Sequence, residues 1–353
     1  MIDLIDKIYQ IPFWLKSQIL KYYICGLKPS DLIHLYANGG FVEILEQLSG
    51  QEWLQIYRND PKVISVGSYH HNLALKTNGQ IVAWGSNTYG QCSPIPDLPE
   101  GIHYVSVSTG AYYSLALRSD GQIAAWGFIN YDGRPIRIPD LPNGARYLSV
   151  SAGGYHSFAL RSDGQIAVWN PSVNDNNNHN TCSDVPVLPK GTRYLSVSAG
   201  KIICDHLALR SDGQIVVWGN AHYLSTRIPT LPQETRYLFV SHGVNHNLAI
   251  RSDGQIVAWG NDSYGQCTNI PALPKGIHYL SVSAGRFHSL AVRSDGQIVA
   301  WGRNYFGVCS RIPALPDKGT RYLSVSAGRE TNLALRSDGR IVDWGVGQVK
   351  YLT

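Results

Sequence analysis

The chain of 353 residues is 44% hydrophobic and 16% charged, a balance that excludes an intrinsically disordered protein. No apolar run is long enough to span a membrane, and the early acidic residues Asp3 and Asp6 argue against a signal peptide. The net charge of +5 is scattered without basic runs, which argues against nucleic acid as a partner, and the six cysteines form no CxxC pair, which favours a reducing compartment.

The first 60 residues show the hydrophobic spacing of short helices. Pro12 can occupy the first turn of a helix, and apolar residues follow it at helical intervals, at Leu15, Ile19, Leu20 and Tyr23. Further short helices are predicted after residue 31, at 41–48 and around residue 53. Residues 1–60 are therefore predicted to form a small α-helical domain.

This helical segment resembles an F-box, above all in its ending, which reads Trp-x-x-x-Tyr-Arg-x-Asp at 53–60. F-boxes bind the Skp adaptor of cullin ubiquitin ligases, so the resemblance implies such an adaptor as a partner. The residues that it places at the adaptor are Pro12, Leu15, Ile19, Leu20, Asp31 and Leu32. The alternative interpretation is a helical cap that covers the domain that follows.

From residue 61 onward the chain is a repeat marked by tryptophan. Seven of the nine tryptophans recur 41 to 49 residues apart, at Trp84, Trp126, Trp169, Trp218, Trp259, Trp301 and Trp344. Self-similarity at this period is typical of a propeller or a solenoid.

Each unit contains a hairpin pattern. In the sixth unit, Ser-Val-Ser-Ala-Gly at 281–285 precedes an apolar strand, the turn Ser-Asp-Gly at 294–296 and a second strand that ends at Trp301. Asp-Gly between apolar runs is a strong hairpin signal, and Asn78-Gly79 replaces it in the first unit. An Ile-Pro-x-Leu-Pro segment then ends strand pairing at the blade edge. Three strands are predicted per unit, with a short fourth as an option.

A single sheet of this kind cannot bury both of its faces, so seven of them do so only by packing side by side in a closed ring. The predicted fold is therefore mainly β, a seven-bladed propeller over residues 61–353 preceded by the helical domain. We expect the two ends of the repeat region, near Val63 and Tyr351, to meet in one blade and close the ring.

The repeat Ser-Ala-Gly-x-x-His-Ser-Leu-Ala-Leu, with Ser-Asp-Gly and Val-Ala-Trp-Gly, resembles that of the regulator of chromosome condensation, the exchange factor for the GTPase Ran. The stretches 89–92 and 264–267, both Tyr-Gly-Gln-Cys, are similar to the family's Gly-Gln-Leu-Gly stretch, with Cys in place of Leu. The resemblance covers all seven units. It implies a small GTPase as partner and guanine nucleotide exchange, an activity without bond-making chemistry and without a cofactor.

The third and fourth units depart from the repeat. The loop at 170–180 lengthens the third unit, and the family places a nucleotide-displacing wedge at a comparable position. Asp205, at the start of a strand in the fourth unit, is similar to an acidic residue of the family and is the predicted catalytic residue. A second family acidic position holds Gly154 instead. The predicted GTPase contacts in the loop are Asn174, Asp175, Asn177 and His179.

Variable residues also follow the repeated Ala-Gly pair. We expect Tyr155, Lys201, Arg286 and Arg329 to gather on one face around the central channel and to contact the GTPase. Arginine together with aromatic residues is the composition of protein-interface hot spots.

A metal site is not predicted. Histidines recur at one repeat position, at His71, His156, His246 and His288, but different blades hold them apart, so a structural role is favoured. The cysteines of the post-tryptophan loops are similarly separated, and zinc spacing is absent.

Two functions remain open. The propeller engages Ran or a Ran-like GTPase and modulates its nucleotide cycle as an exchange factor, or an F-box receptor presents a ubiquitination substrate on the propeller. Either function places the protein in the cytoplasm or nucleus of a eukaryotic cell. The uniform repeats beside an F-box-like segment also resemble effectors that intracellular bacteria deliver into host cells.

Overall fold

The computed structural model describes residues 64–67, 71–76, 78–127, 137–154, 156–169, 184–201, 205–219, 227–317, 319–346 and 350–352. The predicted helical domain lies outside these residues, so the division at residue 60 stays a prediction. Within the described residues, no helix is long and apolar enough to cross a bilayer.

The described residues form seven antiparallel sheets, one for each repeat unit. Blades 1 to 3 contain β1 (Ile64–Val66), β2 (His71–Leu75), β3 (Ile81–Gly85), β4 (Tyr104–Thr109), β5 (Tyr113–Arg118), β6 (Ile123–Gly127), β7 (Tyr147–Ala152), β8 (Ser157–Arg161) and β9 (Ile166–Trp169). Blades 4 and 5 contain β10 (Tyr194–Ser198), β11 (Asp205–Arg210), β12 (Ile215–Gly219), β13 (Tyr237–His242), β14 (His246–Arg251) and β15 (Ile256–Gly260). Blades 6 and 7 contain β16 (Tyr279–Ala284), β17 (His288–Arg293), β18 (Ile298–Gly302), β19 (Tyr322–Ala327), β20 (Thr331–Arg336), β21 (Ile341–Gly345) and β22 (Lys350–Leu352). This confirms the predicted seven-bladed propeller.

The first strand of every blade is the innermost one. Each first strand contacts the first strands of the blades on either side, and β19 of blade 7 contacts β1 of blade 1. The ring is therefore closed, and blades 4 and 7 lie on opposite sides of its channel.

A belt of serine hydroxyls joins these inner strands. In each blade a serine Oγ accepts a hydrogen bond of 2.9 to 3.1 Å from a backbone amide of the next blade. The serines, with the amide donors in brackets, are Ser65 (Thr109), Ser108 (Ala152), Ser151 (Ala199), Ser198 (His242), Ser241 (Ala284), Ser283 (Ala327) and Ser326 (Val66). The last of these bonds closes the ring.

The expectation that both ends share one blade is wrong. β22 pairs with β21 and makes blade 7 four-stranded, whereas β1 pairs with β2 in blade 1. Blades 7 and 1 are joined through side chains instead. The bond between the Ser326 hydroxyl and the Val66 amide joins their inner strands, and apolar packing of Val66 on Leu333 and Leu335 covers it.

The hydrophobic core lies between neighbouring blades. Between blades 6 and 7, for example, Leu290 and Val292 of β17 pack with Tyr322, Val342 and Trp344 of blade 7. The middle strand of a blade is covered on both faces, so it reads as an almost unbroken apolar run. The repeated tryptophan also fastens blades: the Trp301 indole N–H donates to the Gln266 carbonyl of the preceding blade at 2.9 Å.

The Asp-Gly turns are locally neutral. The arginine that ends the middle strand pairs with the aspartate two residues later, and this aspartate also accepts from the backbone, as Asp295 does from the Gln297 amide. Gly296 adopts φ 79°, where an L side chain would be strained. The six ion pairs are Arg118–Asp120, Arg161–Asp163, Arg210–Asp212, Arg251–Asp253, Arg293–Asp295 and Arg336–Asp338.

Candidate protein-interaction face

The propeller has two faces with different chemistry. The turns between first and middle strands and the loops after the third strands emerge at the same end of each antiparallel blade. We call this end the Ala-Gly face, after the Ala-Gly pair that precedes the turn. The opposite end, the Asp-Gly face, carries the neutral hairpin turns described above. Variable residues on the Ala-Gly face are therefore candidates for partner contact.

The repeated histidines are structural. His71, His246 and His288 are almost fully buried, and the Nε2 of each is hydrogen-bonded to the next blade, with distances of 3.2, 2.8 and 2.7 Å to Ser114 Oγ, Ser289 Oγ and Asn332 Oδ1. Burial lowers the pKa of these histidines to between about 3 and about 4, so the rings are neutral at pH 7. No three metal-binding side chains cluster in the described part of the chain.

Asp205 stands at the position of those histidines. It begins β11 and pairs with Gly219, in the same register in which His246 pairs with Gly260. The side chain is only 4% exposed. Its role in nucleotide exchange stays a prediction.

Lys201 crosses the central channel. Its Nζ donates to the carbonyl of Ala327, which ends the inner strand of blade 7, while Lys201 itself follows the inner strand of blade 4. Burial lowers the pKa of the amine to about 8. In this arrangement the lysine links two opposite blades, and its predicted contact with a GTPase stays a prediction.

Several predicted contacts lie outside the described residues. They are Tyr155, Asn174, Asp175, Asn177 and His179 in the third unit, and Pro12, Leu15, Ile19, Leu20, Asp31 and Leu32 in the first 60 residues.

Arg286 and Arg329 lie together on the Ala-Gly face. Both line a cavity of about 170 Å³ between blades 6 and 7. The backbone amide of Arg286 donates to the carbonyl of Gly328 at 3.0 Å, which joins the two turns that carry these arginines. The other charged and aromatic residues of the cavity are Phe287, His288, Arg303, Tyr305 and Glu330.

Arg303 organises the aromatic side chains beside this cavity. Its guanidinium carbon lies 4.8 Å from the ring centre of Tyr264, 5.5 Å from that of Phe287 and 4.7 Å from that of Tyr305. Arg286 stacks on Phe287 at 4.7 Å. Each such cation–π contact contributes about 0.5 to 1 kcal/mol at an exposed site. We call these five residues the arginine–aromatic cluster.

The cluster is held in place and remains exposed. Gln266 fixes the loop of blade 5, because its Oε1 accepts from the Tyr264 amide at 2.9 Å. In blade 6, Asn304 Oδ1 accepts from the Cys309 amide at 2.9 Å. Tyr264 and Tyr305 are nevertheless 42% and 56% exposed. Rings that are both fixed and exposed lose little conformational entropy when a partner covers them.

The sequence reasoning missed Arg303, Tyr264 and Tyr305. A signal was present, since the residue after Trp-Gly is Arg303 in the sixth unit but Ser86 in the first and Asn261 in the fifth. The cavity follows from another departure from the repeat. Tyr89 meets Tyr112, and Tyr264 meets Phe287, but blade 7 presents Glu330 at the equivalent position.

The fold thus defines a seven-bladed propeller with regular Asp-Gly hairpins and one chemically distinct face. Three stretches of the chain, 62–91, 239–266 and 280–308, match the family model of the regulator of chromosome condensation (RCC1) repeat. No curated protein sequence is significantly similar to the chain.

Solved structures share the fold. Prp20p from Saccharomyces cerevisiae matches with a TM-score of 0.61 at 18% identity, over 77% of this chain and 81% of its own. The CRINKLY ectodomain of the Arabidopsis thaliana receptor kinase ACR4 matches with a TM-score of 0.58 at 21% identity, over 83% and 98%. Human WBSCR16 matches with a TM-score of 0.62 at 16% identity, over 78% and 87%. At these identities the likeness shows the fold alone.

Proposed function

We propose that the propeller is a protein-binding module that engages a small GTPase of the Ran type through its Ala-Gly face and promotes nucleotide exchange. The observation that carries the binding proposal is the arginine–aromatic cluster, because fixed, exposed aromatic rings stacked with arginine are the composition of interface hot spots. The GTPase is supported by the repeat family and by Prp20p, which shares the fold and is described with binding properties to Gsp1p and histones.

Exchange requires no bond-making chemistry in the propeller. A protein that binds the nucleotide-free form of the GTPase more tightly than the loaded form shifts the equilibrium toward nucleotide release. A rigid ring suits this role, because it can contribute interface free energy to binding without having to rearrange itself. The loop at 170–180 and Asp205 are the proposed actors in nucleotide displacement.

The test is release of fluorescent GDP from purified Ran, with binding measured in parallel by biolayer interferometry. We expect the full chain to accelerate release and the double variant Arg303→Ala/Tyr305→Ala to bind at least about tenfold more weakly, the effect of losing one hot spot. Arg321→Ala is the matched control, since Arg321 is exposed on the Asp-Gly face.

The outcomes separate binding from exchange. Binding without faster release would refute exchange and retain a GTPase-binding propeller. No binding at all would refute the GTPase as the partner. Equal loss of binding in Arg321→Ala and in the double variant would refute the Ala-Gly face as the interface.

The F-box-like pattern at 53–60 favours a second candidate function, that of a substrate receptor of a cullin ubiquitin ligase. The full chain would then capture purified Skp adaptor, and Pro12→Ala/Leu15→Ala would abolish capture while leaving the tryptophan fluorescence of the propeller unchanged. Failure of the unmodified chain to capture Skp would leave the helical cap as the interpretation. Both candidate partners place the proposed site of action in the cytoplasm or nucleus of a eukaryotic cell.

A further inference from the structure

Two loops of the Ala-Gly face place an aromatic ring against an aromatic ring of the next blade. The ring centre of Tyr89 in blade 1 lies 4.8 Å from that of Tyr112 in blade 2. The ring centre of Tyr264 in blade 5 lies 5.3 Å from that of Phe287 in blade 6. The first ring of each pair belongs to the loop after Trp-Gly, and the second belongs to the turn after the inner strand. The repeat therefore provides a place for two packed rings between neighbouring blades.

Between blades 6 and 7 this pair of rings is missing, because the equivalent positions hold Phe306 and Glu330. The lining of the cavity includes Glu330 but not Phe306. The ring of Phe306 packs instead edge to face on its neighbour Tyr305 at 4.7 Å, and Phe306 is 45% exposed. Its φ is 54°, a positive value that its counterparts Tyr89 and Tyr264 do not share. A positive φ is unfavourable for a bulky side chain, so a strained loop leaves this ring outside the cavity.

The cavity has the size of one aromatic ring. Its volume is about 170 Å³. A protein cavity of about 150 Å³ is large enough to hold benzene, whereas small-molecule and cofactor pockets typically measure roughly 300 to 1,000 Å³. Phe287, Tyr305 and Val308 supply apolar and aromatic surface to the lining. A single aromatic side chain therefore fits the cavity better than a cofactor does.

The charged residues of the lining complement a phenol ring. The guanidinium carbon of Arg303 lies 5.5 Å from the ring centre of Phe287 and 4.7 Å from that of Tyr305. A guanidinium attracts the negative face of an aromatic ring. Glu330 also lines the cavity, and a carboxylate accepts a hydrogen bond from a hydroxyl group. A ring that carries one O–H donor complements both groups.

We propose that the cavity between blades 6 and 7 anchors a tyrosine side chain of a protein partner. The ring would occupy the place that aromatic pairs fill between blades 1 and 2 and between blades 5 and 6, and its hydroxyl would donate to Glu330. Tyrosine is enriched among the residues that dominate protein interfaces. The inference rests on the proposed protein-binding function and specifies which side chain the Ala-Gly face selects in its partner.

The experiment uses the full chain and p-cresol, the side chain of tyrosine as a free molecule. Methylcyclohexanol, its saturated analogue, is the control ligand. We expect titrations followed by ligand NMR to show saturable binding of p-cresol with a Kd below about 10 mM. Methylcyclohexanol should bind at least about fivefold more weakly, since its ring has no π face for Arg303.

A variant locates the binding site. Glu330→Phe gives blade 7 the residue that blade 6 has at Phe287, so it fills the cavity and should weaken p-cresol binding at least about tenfold. Asn245→Phe adds the same ring at the same repeat position of blade 5 and should leave the affinity unchanged. Urea unfolding shows whether both variants fold, and the comparison of the two ligands on the unmodified chain decides the inference even if they do not.

The inference is overturned if p-cresol shows no saturable binding up to about 10 mM, or if methylcyclohexanol binds equally well. Unchanged binding of p-cresol in folded Glu330→Phe, or an equal loss in Asn245→Phe, would also overturn it. If Ran binds Glu330→Phe and the unmodified chain equally, the cavity inference fails while the GTPase proposal stands. If p-cresol binds as described and Ran does not bind, the GTPase proposal fails and the cavity inference stands.

Discussion

The propeller is expected to lose stability steeply on mild acidification, because buried neutral histidines hold its blades together. Burial lowers the folded-state pKa of five histidines from the ordinary 6.5 to between about 2 and about 4. All five side chains are at most 3% exposed. They are His71, His206, His242, His246 and His288.

The sign follows from the proton balance. Below pH 6.5 the unfolded chain binds protons at these histidines while the folded chain does not, so the free energy of unfolding falls as the pH falls. Between pH 7 and pH 5 each histidine with a folded pKa near 4 removes about 2 kcal/mol, and five remove about 9 kcal/mol. That loss is comparable with the whole stability of an ordinary domain, about 5 to 15 kcal/mol.

Asp343, whose pKa is raised by burial, opposes the loss of stability in this window rather than adding to it. The hydrogen bond from Arg293 holds the pKa of Asp295, in a hairpin turn, below its ordinary value, so the protonation of Asp295 matters only well below pH 5. The assay is urea unfolding at pH 7, 6 and 5, followed by tryptophan fluorescence, since the repeated tryptophans lie between blades. His246→Gln removes one titrating group and should recover about 2 kcal/mol of the loss between pH 7 and pH 5. A total change below about 2 kcal/mol between these pH values would refute the reasoning.

Two substitutions test the contacts between neighbouring blades. Ser283→Ala removes the acceptor of the Ala327 amide and should lower the free energy of unfolding by about 1 to 3 kcal/mol. The control Ser263→Ala, in an exposed loop, should change it little. Equal effects of the two substitutions in urea unfolding would contradict the role of the serine belt. Burial raises the pKa of Asp343, which accepts from the Trp84 indole at 3.2 Å across the closing interface. A raised pKa in the folded state means that burial disfavours the ionised carboxylate of Asp343. Asp343→Asn should therefore raise the free energy of unfolding at pH 7, and raise it less at pH 5. A gain that is independent of pH would contradict this cause.

The blade architecture could be predicted because its signals are local. Asp-Gly turns require a positive φ, and apolar runs of five or six residues flank them, so strand, turn and strand are specified within about 15 residues. The neutral hairpin turns could also be predicted, since Arg293 and Asp295 are two residues apart. The tryptophan period then fixes the number of units.

Ring closure could not be predicted in the same way. Whether Lys350–Leu352 pairs with blade 7 or with blade 1 depends on the competition between two edges that are far apart in the sequence and close together in the ring. The pairing with β21 is a local hairpin with a small entropic cost of loop closure, whereas pairing in blade 1 would have to close the whole ring. The same limit applies to the arginine–aromatic cluster, because Tyr264, Phe287 and Tyr305 belong to separate loops.

Two turns that depart from the repeat, one in blade 4 and one in blade 7, are connected through the central channel. Lys201 of blade 4 donates to the Ala327 carbonyl, and Arg329 follows only two residues later in the turn that lines the cavity. The contact joins residues 126 positions apart, so comparison of the repeat units could not reveal it. Lys201 therefore ties the turn that carries Arg329 to the unit that contains Asp205. Comparison of the units identifies which residues differ, but only the closed ring shows that these differences share one face and one channel.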